Sequence, residues 1–370
     1  IPLGRLTVLV GPNGSGKSNV LDALGFLGDA MRTGLDAALA KRDGIGAVQR
    51  WSATRPYDVS LKVNYADGEY EGYYGLTLGS RAGGAFVVKE ERAVVWAEKN
   101  GEPTFFGVHN GKVDSSGLEL RSKVETDRLL LPVAPLDPGL TRLYEALRGT
   151  AMYSIYPDAL RRPAAPDLTR PMRPHGENWT TSLKEVLAGP NAQEFRAGLA
   201  ELTGDVVDVR VKTLAGYTVA EFKHLADAAS GGAQRREKWL SAAQESDGTL
   251  RFAGILTALL QYPAPALVGM EEPEITIHTG ALRLLFDYLT TASEQTQVLV
   301  STHSPELLDW VDPNDVRVVE RVGGATTVGP MSETQKDLVR DRLMSLGDVA
   351  RMEGLKTEAS QNRVPVGVED

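Results

Sequence analysis

Apolar positions along the chain switch between two periods. Residues 5–10, RLTVLV, make a nearly unbroken apolar run and predict a buried strand. Val20, Leu21, Leu24 and Leu27 then recur on one face of a helix predicted over 18–31. Between 57 and 113 the period becomes two. YDVSLKVNY and YEGYYGLTL alternate around an ADGE turn, and GAFVVKEERAVVWAE and TFFGVHNGKV follow on either side of KNGEP. This reads as an antiparallel meander. A short helix is predicted over 139–149. Prolines 157, 163, 166, 171 and 174 predict an irregular loop after it. Helices follow at 181–188 and 191–203, and strands at 205–211 and 217–223. From 246 onward LRFAGILTALLQ, PALVGM, GALRLLFDYLTTA and TQVLVS alternate helix, strand, helix, strand. That alternation points to a parallel sheet. The fold class expected is therefore α/β, with a central parallel sheet in two parts, 1–55 and 205–353. An antiparallel β lobe and a helical, proline-rich insert occupy 56–204, and 354–370 is expected to be a frayed tail. No heptads are sustained and no segment repeats.

Composition narrows the class. The 370 residues are 42% apolar and 24% charged, as in a water-soluble globular chain with a sizeable core. The absence of cysteine excludes disulfides and thiolate metal sites and fits a cytoplasmic protein. No run of about 18 apolar residues exists to span a membrane, and IPLGRLTVLV lacks the marks of a signal peptide. A net charge of −9 argues against a surface that coats nucleic acid everywhere, though not against a local basic patch.

Four motifs carry chemistry. GPNGSGKS, residues 11–18, fits G-x-x-x-x-G-K-[ST] between a predicted strand and a predicted helix. The glycines let backbone amides curl around a phosphate at a helix N-terminus. Lys17 reaches phosphate oxygens and the Ser18 hydroxyl suits Mg²⁺. A glycine-rich turn with a cap needs no Lys-Ser pair. In PALVGMEEPEITIH, Glu271 and Glu272 emerge where an apolar strand ends, the edge at which open α/β sheets bind ligands. Glu271 is assigned to the metal and Glu272 to a water that it orients and deprotonates. The plainer reading is a solvated acidic turn. In QVLVSTHSPELLDW, Ser304, Pro305 and Glu306 make a helix start. His303 stands at the strand tip, where it can donate to a γ-phosphate. In QESDGTLRF, Ser246 lies near a helix N-terminus. By itself that is a simple cap, but it also makes an anion site with no second phosphate loop in the chain to serve.

These motifs in this order resemble the ABC-type ATPase heads of the SMC, RecF and OLD-like group, most closely its bacterial AAA-family ATPases. GPNGSGKSN is similar to the Walker A segment, so Gly11, Pro12, Asn13, Gly14, Ser15, Gly16, Lys17, Ser18 and Asn19 would hold ATP. ESDGTLR resembles a variant signature, GMEEPEITIH resembles Walker B running into the D-loop, and STHSP resembles the switch-histidine loop. Asp247 stands where a glycine is usual, and His278 and Thr279 replace the usual acid and proline of the D-loop. Gln49 in GIGAVQRWS is the Q-loop candidate, a metal ligand beside Ser18 and Glu271. The resemblance implies a P-loop NTPase of ABC/SMC-head type with ATP and Mg²⁺ as cofactors. Two copies would sandwich ATP, each nucleotide held by one copy's Lys17 and Ser18 and covered by the other's Ser246 and Gly248. Glu272, His303 and Lys17 would be catalytic and turnover slow without a partner.

The expected function is thus an ATPase gating a DNA-processing or anti-phage defence complex. The alternative is a nucleotide-dependent scaffold that dimerises with little hydrolysis, and a transporter motor ranks third. The 67 residues after His303 are too few for a Toprim domain, so any nuclease or effector is expected to be a separate polypeptide. Arg161, Arg162, Arg170 and Arg173, with Arg235 and Arg236, are candidates for DNA phosphate contact, with a solvated basic loop as the default.

Overall fold

The computed structural model describes residues 1–50, 57–97, 101–116, 123–133, 137–226, 236–352 and 354–361. The chain divides into two compact units, one of Ile1–Leu21 with Ala151–Asp370 and one of Asp22–Thr150.

The first unit is built on a six-stranded sheet. From edge to edge it runs β14 (Ala325–Pro330), β13 (Val316–Val322), β1 (Leu6–Val10), β12 (Gln297–Ser301), β11 (Leu267–Glu271) and β7 (Thr150–Tyr153). β1 lies parallel to both β12 and β13, and β11 parallel to β12. Strands buried on both faces need no alternation, which is why LTVLV and LVGM read as continuous apolar runs. β13 and β14 form an antiparallel hairpin turned by Gly323 and Gly324, both at positive φ. Against this sheet the core gathers Trp179, Phe195, Leu199, Phe252 and Leu256, which come from helices Trp179–Ala188, Ala192–Thr203 and Asp247–Leu259. A separate three-stranded antiparallel sheet joins β8 (Val206–Leu214), β9 (Tyr217–Ala226) and β10 (Arg236–Ser241).

The second unit is the antiparallel meander, β2 (Val59–Ala66), β3 (Glu71–Ser80), β4 (Phe86–Trp96), β5 (Thr104–His109) and β6 (Lys112–Ser116) in sequence order. Its core combines Phe26, Leu27, Ala30 and Met31 of helix Lys17–Thr33 with Tyr74, Leu76, Phe106, Leu140 and Leu143. Asp137 caps helix Pro138–Arg148, its carboxylate accepting from the Leu140 amide at 3.0 Å.

Several elements depart from the periodicity reading. Pro157 does not forbid a helix; it opens a short one, Pro157–Arg161, at the position where a missing N–H costs nothing. β10 is set by residue-for-residue pairing with β9, from Arg236 against Ala226 to Ser241 against Glu221. Its sequence, REKWLS, has no apolar alternation of its own. Residues 354–361 are not frayed: Leu355 is buried and Thr357 bridges Met331. Residues 362–370 lie outside the described residues. Among the described residues, no helix is long and apolar enough to cross a membrane.

Glu91 of β4 is fully buried in the second unit. The Tyr74 hydroxyl donates to it at 3.0 Å, and the amides of Leu130 and Leu131 at 2.6 and 3.0 Å. Burial pushes its carboxyl up to about 7, against the pull of those three donors. An unfolded glutamate releases its proton near the ordinary value of 4.5, whereas the folded one keeps it until about 7. The native state therefore binds more protons in that window, and stability falls as pH rises through it, by about 1.4 kcal/mol per unit. Glu91→Gln should flatten this part of the pH profile of denaturant unfolding, followed by tryptophan fluorescence; an unaltered slope between pH 5 and 7 refutes the assignment.

Candidate functional site

β1 ends at Val10 and delivers the phosphate loop directly into helix Lys17–Thr33. Of the amides from Asn13 to Ser18, only that of Ser15 is hydrogen-bonded among the described residues, to the Pro12 carbonyl at 3.2 Å. The others, with the helix N-terminus behind them, form an anion cradle. The Ser15 hydroxyl is also buried without a partner among the described residues. Gly16 sits at φ +105°, and a Cβ there would run into the side chain of Thr326. Thr326, on β14, donates to the Ser15 carbonyl at 2.8 Å and so braces the loop from outside. Lys17 is buried, and its ammonium donates to the Gly11 and Pro12 carbonyls at 2.8 and 3.3 Å. Burial draws its pKa below the usual lysine range, while the nearby Glu272 carboxylate pulls it the other way. Ser18 and Asn19 are exposed at the head of the helix.

The neighbouring strands end on the same edge. Ser301 of β12 aligns with Leu9 of β1 on one side and Glu271 of β11 on the other. The acidic strand end and the histidine are thereby brought together: His303 Nε2 lies 3.8 Å from Glu272 Oε1, and both side chains are about one-third exposed. Glu272 adopts φ +42°, a left-handed conformation costly for a residue with a Cβ. Its amide donates to the Ser301 carbonyl at 2.9 Å. Its carbonyl accepts from the Ile275 amide at 3.2 Å and from Arg251 Nη2 at 2.9 Å.

Glu274, two residues on, takes the Thr302 hydroxyl at 2.5 Å and the His303 amide at 3.3 Å on Oε1. Burial raises its pKa, opposed by those two donors. Neither Glu274 nor Arg251 stood out in the sequence. The carboxyl type at 274, beside the acidic pair, was the available signal for the first. An arginine inside an otherwise apolar helix was the signal for the second.

Ser246 caps helix Asp247–Leu259, accepting from the Thr249 amide at 3.1 Å. Gly248 has a reason within its own chain: a Cβ there would lie 2.8 Å from the Thr276 carbonyl. Asp247 forms an ion pair with Arg161, whose Nη2 also donates to the Glu245 carbonyl at 3.1 Å. The preceding turn is held by His224, bridging Asp205 at 2.9 Å and Glu245 at 2.8 Å. Burial works against the imidazolium, yet hydrogen bonds to the two carboxylates keep its pKa above the usual histidine range. His278 accepts from the Gly280 amide, so it caps a turn where an acid was expected.

The proline-rich arginines are largely engaged. Arg161 is held as above, Arg170 pairs with Glu185 at 2.7 Å and Arg173 with Asp167 at 2.8 Å. Arg162 is exposed, and Arg235 lies outside the described residues. Gln49 lies in the second unit, just after helix Ile45–Val48, with its amide nitrogen buried and unpaired among the described residues. No group of three or more His, Cys, Asp or Glu side chains among the described residues could cage a metal alone. Ser18 and Glu271 nevertheless fit Mg²⁺, an ion ordinarily held by few protein ligands plus substrate phosphates.

Residues 6–64 and 219–309 match the family described as "AAA domain, putative AbiEii toxin, Type IV TA system". No curated protein sequence matches the chain. Among solved structures the chain is similar to an SmcHead bound to the C-winged helix domain of ScpA, at 14% identity and a TM-score of 0.48, over 90% of this chain and 92% of that one. It is also similar to the SMC head domain from Thermotoga maritima, at 15% identity and 0.40, again over 90% and 92%. A third is the Pyrococcus furiosus Smc head domain with an extended coiled coil, bound to the C-terminal domain of ScpA, at 13% identity and 0.44, over 93% and 94%. The two stretches matched by that family lie on either side of residues 65–218 and contain the phosphate loop, the acidic strand end and His303.

Proposed function

We propose that this chain is an ATP-hydrolysing switch that closes on a second copy of itself around ATP and gates a DNA-processing or anti-phage defence complex. The observation that carries the reading is the meeting of Lys17, Glu272 and His303 at the ends of three adjacent parallel strands. A triphosphate seated in the amide cradle would place its γ-phosphate at that edge. Lys17 would turn from the loop carbonyls to the phosphate oxygens. Glu272 would orient and deprotonate the attacking water, and His303 would donate to the γ-phosphate. Ser18 and Glu271 would hold Mg²⁺; the ion when bound offsets phosphate charge. Gly11 to Asn19 would form the nucleotide cradle.

The second copy enters through Ser246 and Gly248. The cap at Ser246 aims the N-terminus of helix Asp247–Leu259 outward, and Ser246 is exposed. A helix dipole facing a γ-phosphate favours the closed pair before hydrolysis and releases it afterwards. The engaged arginines of the proline-rich segment do not support a DNA-binding role for that segment. The matched family's description names a putative toxin of a toxin–antitoxin system, which favours the defence branch.

Three substitutions test the parts separately. Lys17→Ala should weaken ATP binding by roughly 100-fold in calorimetry. Glu272→Gln should keep ATP binding and an ATP-dependent dimer in light scattering while phosphate release drops by about 100-fold or more. If the parent rate is already near zero and the substitution leaves it there, the scaffold alternative holds instead. Ser246→Arg should leave binding to the single chain intact but prevent the ATP-dependent dimer; a dimer that persists removes the shared-site reading.

A further inference from the structure

Arg251 is the least expected residue in its setting. Helix Asp247–Leu259 is buried from Leu250 to Leu259, and Arg251 is only 5% exposed within that run. Its Nη1 donates to the Ile155 carbonyl at 2.8 Å and its Nη2 to the Glu272 carbonyl at 2.9 Å. Its Nε is buried with no partner among the described residues. Among the described residues no carboxylate hydrogen-bonds to it, although Glu272 and Glu274 are close enough to favour its charge. A guanidinium buried against carbonyls, with one N–H unmet, is poor for stability, and a well-packed apolar side chain of similar length generally does as well or better. What the arginine does that methionine cannot is grip a particular carbonyl. That carbonyl belongs to Glu272, whose peptide is in a left-handed conformation and is otherwise held by the Ser301 carbonyl and the Ile275 amide.

Glu274 Oε1 holds the Thr302 hydroxyl and the His303 amide, and its Oε2 is buried without a partner among the described residues. The two side chains therefore hold the two halves of the Glu272–His303 pair by their backbones, Arg251 through the Glu272 carbonyl and Glu274 through the His303 amide. Arg251 also lines the same recess as Met270, Glu271 and Pro273, directly beneath the acidic strand end. It sits five positions after the Ser246 cap, so one rigid helix carries both groups.

We propose that Arg251 is a positioning residue for Glu272: its guanidinium ties the backbone of that carboxylate to the helix that starts at Ser246, and so fixes the carboxylate where water must be activated. This rests on the reading of the site as ATP-hydrolysing. The role predicts a split between turnover and binding, because the nucleotide cradle is built from other elements.

The test compares the parent, Arg251→Met and Arg251→Lys in ATP hydrolysis under single-turnover conditions, in ATP affinity and in thermal melting. Arg251→Met should lower the hydrolysis rate by about 100-fold, as expected for a displacement of about 1 Å at the reacting group. Its ATP affinity should stay within about twofold of the parent. Arg251→Lys, which can reach one carbonyl but not both, should recover about a tenfold part of that loss. If Arg251→Met does not fold, Arg251→Lys carries the test: a slower rate at unchanged affinity supports the role and a parental rate overturns it. A hydrolysis rate unchanged in Arg251→Met, or rate, affinity and melting temperature falling together in both variants, also overturns it and leaves the ATPase reading standing. A parent that does not hydrolyse ATP overturns both.

Discussion

The adjacency of β1, β12 and β11 is the constraint on which the rest of the structure depends. Parallel neighbours present their C-terminal ends at one edge of a sheet. Register then decides which residues meet there. Because Ser301 aligns with both Leu9 and Glu271, the phosphate loop, the acidic pair and the histidine emerge at the same level. Residues 17, 272 and 303 are remote in sequence, and no local interaction joins them. A shift of one strand by one residue would turn its side chains to the opposite face and dissolve the site.

That edge is held by polar groups inside an apolar frame. Glu272 bends into a left-handed conformation, Glu274 is buried, and Arg251 reaches across to a carbonyl. Each costs free energy relative to an apolar core. The frame tolerates them because helix Asp247–Leu259 buries almost its whole circumference among Phe195, Leu199, Trp179 and neighbouring residues. The rigidity bought there is spent at the strand ends. The phosphate loop is braced in a similar way from its other side, where the β13–β14 hairpin presents Thr326 to the loop backbone.

The turn at Ser246 is explained by contacts within its own chain. Ser246 caps its helix, Gly248 clears the Thr276 carbonyl, and Asp247 finds a partner in Arg161. Every one of these has an explanation inside a single chain. A partner's nucleotide would use the same exposed helix end without requiring different residues. The aspartate at 247 is accounted for by that arginine.

Much of the fold was legible because its signals are local. Apolar runs bounded by turns marked β1, β11 and β12, alternation marked the meander, and Gly-Lys-Ser at a strand–helix junction marked the cradle. The β13–β14 hairpin carries a local signal of its own in the Gly323-Gly324 turn. What no window of sequence holds is pairing and packing. REKWLS becomes β10 only because β9 offers it a ladder, and Pro157 opens a helix where prolines suggested a loop. Arg161 looked like a free cation until Asp247 was beside it, and Arg251 like one more basic residue until its helix was seen to be buried. By itself the sequence determined which residue types stand at each strand end, since turn geometry and periodicity act over a few neighbours. Only the tertiary structure decided which ends lie side by side and which buried groups hold them, since burial and register are properties of surfaces that distant segments make together.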